Sequence, residues 1–271
     1  MSNHVYTRSD IIDQLRAMGA PTDRVVLMHS SLRAIGCIEG GATALLDCLI
    51  EYFTRDGGLF CVPTHTWGNI GKEITLDMTS DDTCLGAFSK IAINDGRGIR
   101  SAHPTHSMVV FGDRERAEDF IRDELNVSTA TSPDSCYGKL YDMGGKILLV
   151  GVAQNRNTYI HTVEEMLSTP NRLRLDPHKT TVKLPSGEIV HREICGHSTD
   201  FTNDVSLRYV KFDIPFRYHG CITDGFIGDA PAQLCDAVKI KGTVELIYKN
   251  SEGEDVLRTE FPINPKLYCK K

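Results

Sequence analysis

The sequence predicts a layered α/β sandwich with an antiparallel C-terminal subregion. Short apolar runs alternate with helical stripes through the first 170 residues. Those runs are apolar at every position, as in strands covered on both sheet faces. Beyond Thr180 the pattern changes to hairpin-like segments.

The elements follow in order. Ser9 is an N-cap candidate for a helix ending at Met18, with Ile11, Ile12, Leu15 and Met18 on one stripe and Gly19 as terminator. Val25 to Ser30 is an apolar run that stops in polar residues, as a buried strand does. Gly40-Gly41 opens a helix through Leu45, Leu46, Leu49 and Phe53, and Gly57-Gly58 closes it before a strand from Leu59 to Pro63. Ser107 to Gly112 is a third strand, followed by a charged helix from Asp113 to Asp123. Lys146 to Gly151 is a fourth, and a helix runs from Thr158 to Leu167. Thr180–Leu184 and Ile189–Ile194, joined by Pro185-Ser186-Gly187-Glu188, read as a hairpin, and Val244–Tyr248 as a further strand.

Composition narrows the function. No run reaches the about 18 apolar residues of a membrane span, and the first ten residues lack an apolar signal core, so a cytoplasmic protein is expected. The nine cysteines are scattered without a C-x-x-C pair, which argues against a disulfide framework and a thiolate zinc site. The net charge of −6 disfavours nucleic acid and suits a cationic small molecule.

Three clusters could carry chemistry. His29-Ser30-Ser31-Leu32-Arg33, followed by Gly40-Gly41, joins a strand end to a helix start, a geometry that suits phosphate but also fits an ordinary Gly-rich turn. His103-Pro104-Thr105-His106 brings two histidines close, but Pro104 prevents a regular helix and no carboxylates stand at ligand spacing, so no metal is expected. His161 has Glu164 and Glu165 three and four residues on, so either carboxylate can reach the imidazole of a general base; charges at an ordinary helix start explain the same pattern. Cys136 has no base beside it and reads as a buried thiol, and Trp67 as a core residue or a ligand wall.

Together, His29 to Gly36 with Gly40-Gly41, Val62 to Trp67, His103 to Ser107, and Lys146 to Val152 leading to Asn157–Glu165 resemble the aminoglycoside 3-N-acetyltransferase family (the antibiotic N-acetyltransferases), from residue 5 to residue 270. The resemblance implies one domain over 1–271, distinct from the GNAT acetyltransferases. Residues 1–170 would bind acetyl-CoA, and 171–271 would form a β-rich acceptor side. It implies antibiotic resistance by acetylation of the 3-amino group of an aminoglycoside, directly and without metal, by a monomer or homodimer. On this resemblance Ser30, Ser31, Leu32, Arg33, Ala34 and Gly41 hold coenzyme A, and Thr64 and Ser107 line its thioester end. His161 is the general base oriented by Glu164, with His29 near the reaction centre. Trp67, Asp77 and Glu165 are the acceptor-side candidates. The chain departs from better-known members over Gly68 to Asp82 and after Pro170. A same-fold acyltransferase for another small amine and a non-catalytic CoA-binding protein are the alternatives, with a metal-dependent hydrolase behind them.

Overall fold

The computed structural model describes residues 4–174, 176–197 and 204–269. Its N-terminal elements are β1 (Val5–Tyr6), α1 (Arg8–Ala17), β2 (Val25–Ser30), the short α2 (Leu32–Ile35), β3 (Cys37–Ile38), α3 (Gly41–Thr54) and β4 (Leu59–Pro63). Next come β5 (Leu76–Asp77), α4 (Ala87–Asn94), β6 (Ile99–Arg100), β7 (Met108–Phe111), α5 (Arg114–Ile121), α6 (Cys136–Asp142), β8 (Lys146–Val150) and α7 (Tyr159–Met166). The chain finishes with β9 (His178–Lys183), β10 (Ile189–Ile194), α8 (Asp213–Tyr218), β11 (Ile222–Ile227), β12 (Ala230–Asp236) and α9 (Ala237–Asn250).

Seven strands form one mixed sheet in the order β11-β12-β8-β2-β4-β7-β6. The central β8, β2 and β4 run parallel, and antiparallel strands extend both sides. Side-chain alternation splits each central strand between two cores. Val25, Leu27, Leu59, Cys61, Ile147 and Leu149 pack toward α6, α7 and α9. Val26, Met28, Phe60, Val62, Leu148 and Val150 pack toward α1, α3 and α4. Covering both faces is why these strands read as unbroken apolar runs. A second sheet, β10-β9-β5, carries the expected hairpin.

Two expectations change. Thr7, rather than Ser9, caps α1: its hydroxyl accepts from the Asp10 N–H while the Asp10 carboxylate accepts from the Thr7 N–H. Val244–Tyr248 is helical, inside α9. Asp236 caps that helix at the Lys239 N–H, and Ala237, Ile240, Val244 and Ile247 recur at helical spacing, a period five residues are too short to reveal. The C-terminal antiparallel strands are present, but β11 and β12 join the main sheet beside β8.

Gly151 ends β8 at φ +64°, and a Cβ there would lie 2.4 Å from that of Ala34. A side chain would therefore push the loop after β8 away from the loop after β2.

Phe60 is fully enclosed, stacked on Phe53 at 5.3 Å and on Phe111 at 6.2 Å. Phe60→Ala is expected to destabilise the fold by about 3–5 kcal/mol in urea denaturation, whereas Phe226→Ala, at 56% exposure, stays within about 0.5 kcal/mol.

Candidate active site

Parallel strands end at one sheet edge, and the loops leaving that edge form the cleft of α/β proteins. Here the loops after β2, β4 and β8 enclose two adjoining cavities of about 390 Å³ each. The first is lined by Ser30, Ser31, Leu32, Phe88 and Val152, among others. The second is lined by His65, Trp67, His106, His161, His197 and Asp204, among others. His29, Leu85 and Arg156 belong to both. Strand parity places His29 on the face of Val25 and Leu27, the side covered by α7.

His161 sits on α7 with its ring stacked on His197, centroids 3.7 Å apart and planes 12° apart. Its Nδ1 lies 2.6 Å from the Tyr209 hydroxyl, which donates to Glu164 Oε2 at 2.6 Å. Glu164 therefore does not touch the imidazole directly; a phenol stands between them. Three helical residues bring both side chains to one face, but Glu164 is turned toward other donors. Its Oε1 accepts from Arg172 Nε and from the Tyr248 hydroxyl, each at 2.7 Å, and Arg172 also pairs with Asp255. Tyr209, Arg172 and Tyr248 escaped sequence reading because none lies within helical reach of His161, and no local spacing marks them.

Burial sets the electrostatics. It holds the His29 imidazole down at about 4, with the Arg156 cation adding to the effect, and lowers His103 to about 3 and His197 to about 4. His65, His106 and His161 are held well below the ordinary histidine range by burial and then by one another or by nearby cations. The six imidazoles are therefore neutral at pH 7, the form a base requires. Burial also raises Glu164, against the opposing pull of Arg172. Despite the histidines, no group of three or more His, Cys, Asp or Glu among the described residues could hold a metal ion.

The other expected site residues divide. Ser30, Ser31 and Leu32 line the first cavity, and Trp67, half exposed, walls the second. Arg33 and Gly41 are exposed, Ala34 packs near Gly151, and none of the three lines either cavity. Thr64 and Ser107 are wholly enclosed: their hydroxyls bond at 2.9 Å and Arg100 donates to Ser107, so neither lines the cleft. Asp77 is on β5, bound to Thr79 and Lys183, away from both cavities. Glu165 accepts from Thr129 and Thr131 at 2.6 and 2.7 Å, so its carboxylate is engaged away from the imidazole and ties α7 to the loop before α6. Cys136 is buried, and desolvation raises its thiol well above the ordinary range. His103, its Nδ1 accepting from two backbone N–H groups, shapes the loop that presents His106.

A family model described as aminoglycoside 3-N-acetyltransferase matches residues 27–246. Aminoglycoside N(3)-acetyltransferase IV from a Salmonella species is 30% identical over 166 residues. That match covers 61% of this chain and 61% of the relative, less than two thirds of its length. The structure is similar to a mutant of aminoglycoside acetyltransferase AAC(3)-IVa in complex with apramycin, with TM-score 0.76, 25% identity and coverage of 100% and 99% of the two chains. It shares its fold with AAC-IIIb in binary complex with CoASH, with TM-score 0.76, 20% identity and coverage of 91% and 97%.

The lowered imidazoles make stability depend on pH. Between about 4 and 6.5, the unfolded chain binds protons that the folded chain refuses, so stability falls as pH falls. Glu124, raised to about 7 by burial, acts oppositely, as does raised Glu164, but six histidines outnumber them. The urea midpoint is expected to drop between pH 7 and pH 5; a flat or rising midpoint would contradict this charge assignment.

Proposed function

Because this chain belongs to the aminoglycoside 3-N-acetyltransferase family, we propose that it transfers the acetyl group of acetyl-CoA to an amine of an aminoglycoside. The observation that carries this reading is the joined cleft, with Ser30, Ser31 and Leu32 in one arm and His161, Trp67 and Asp204 in the other. The first arm would take the pantetheine and acetyl end of the coenzyme. Arg156, an exposed cation at the junction, would face its negative charge.

The second arm would take the acceptor. Trp67 offers a flat wall for a sugar ring and Asp204 a carboxylate for an ammonium group. A protonated amine cannot attack, so the acceptor first gives one proton to solvent; His161 Nε2 then takes a second proton as the free amine nitrogen bonds to the thioester carbon. The carbonyl oxygen carries the negative charge of the tetrahedral intermediate. Its collapse breaks the C–S bond, the coenzyme leaves as thiolate, and the proton on His161 is available to neutralise it. No acyl-enzyme is needed.

A second reading keeps the chemistry and changes the acceptor. Asp204 is the single carboxylate lining the second cavity among the described residues, which also suits a small amine of lower charge. Thiol release from acetyl-CoA with gentamicin-, kanamycin- and neomycin-type acceptors, beside simple primary amines, separates the two. Turnover with the aminoglycosides is the expected result; a lack of thiol release with every amine tested would leave only coenzyme binding. His161→Ala is expected to lower kcat by about 10²–10⁴-fold with the fold intact.

A further inference from the structure

We propose that Tyr209 is a positioning residue that fixes the tautomer of His161, and that Glu164 governs the base only through this phenol. The inference rests on reading His161 as the base. It follows from counting protons in a site that excludes water.

Tyr209 and Glu164 are both fully buried, and the phenol oxygen lies 2.6 Å from His161 Nδ1 and 2.6 Å from Glu164 Oε2. A phenol has one proton to donate, and an ionised carboxylate has none. The other oxygen, Oε1, is already taken by donors from Arg172 and Tyr248, and the Arg172 charge keeps a counter-ion beside the carboxylate. The Tyr209 proton therefore goes to Oε2. The phenol oxygen then accepts, and His161 must carry its proton on Nδ1 to supply it. That leaves the lone pair on Nε2, the other ring nitrogen of a side chain lining the second cavity. Stacking on His197, with Tyr209 edge-on at 69°, holds the ring plane in place.

The chain of donors makes an ordering of variants that direct Glu164–His161 contact does not. In Glu164→Gln the amide oxygen keeps Arg172 and Tyr248, so the amide NH2 faces Tyr209 and donates to it. The phenol proton then turns to Nδ1, and the imidazole is driven to the Nε2–H tautomer, which cannot act as base. Tyr209→Phe removes the constraint without imposing the wrong tautomer. Glu164→Gln should thus lose about 10³–10⁴-fold in kcat, as wrong-tautomer variants do. Tyr209→Phe should lose about 10–10²-fold, with the KM for acetyl-CoA unchanged in both. Adding Tyr209→Phe to Glu164→Gln should restore activity toward the Tyr209→Phe level.

Nitrogen-15 NMR of the His161 ring in the full-length protein reads the tautomer without turnover, and circular dichroism checks that each variant is folded. Nδ1–H in the wild type and Nε2–H in Glu164→Gln would support the proposal. A wild-type Nε2–H tautomer, an unchanged tautomer in folded Glu164→Gln, or a double variant no better than Glu164→Gln would overturn it. If the wild type acetylated no amine, the functional reading would fail while the NMR result still decided the tautomer.

Discussion

A carboxylate with no exposed surface organises the C-terminal half of this protein. Removing the charge of Glu164 from water costs several kcal/mol unless donors replace the lost hydration. The replacements come from distant parts of the chain: Arg172 beyond α7, Tyr209 in the 3-10 stretch Val205–Phe212, and Tyr248 on α9. Asp255 completes the set by taking the far side of the Arg172 fork. Satisfying one charge thus fixes four segments around α7, and with them the imidazole one turn before Glu164. Loss of any one donor would leave a buried charge short of a partner, so stability and catalytic geometry are coupled here.

The N-terminal half solves a different problem. Its parallel strands bury both faces and give way to polar residues at the edge where they end. The cleft forms there, and strand parity puts His29 on one side and Ser30 on the other as β2 leaves the core. Gly151 lets the loop after β8 approach the loop after β2, bringing Arg156 beside His29. The two halves meet at the shared wall of the two cavities, where a coenzyme arm and an acceptor arm can present their reacting atoms to each other.

Neutral histidines suit that meeting point. Six imidazoles held uncharged by burial supply hydrogen-bonding groups and aromatic faces without a positive field that would repel an ammonium substrate. The same burial penalises protonation, so the property that keeps His161 available as a base makes the fold sensitive to acid.

The features legible in the chain alone are periodic or contiguous. The four core strands, the helices after Gly41, Asp113 and Thr158, the hairpin, the His29–Leu32 loop and the His161–Glu164 pair are all legible within a few residues of one another. The family blocks then joined them into a site. Groups that meet across long separations were settled by the folded arrangement. Helical spacing gave Glu164 and Glu165 equal access to His161, but threonines of a preceding loop hold Glu165 away, and donors from later segments turn Glu164 toward Tyr209. Thr64 and Ser107 stand at strand ends yet are consumed by their contacts with each other and Arg100. Tyr209 stands 48 residues from the ring it contacts. A hydrogen bond depends on distance in space and on which competing donors are present, and short-range periodicity carries neither.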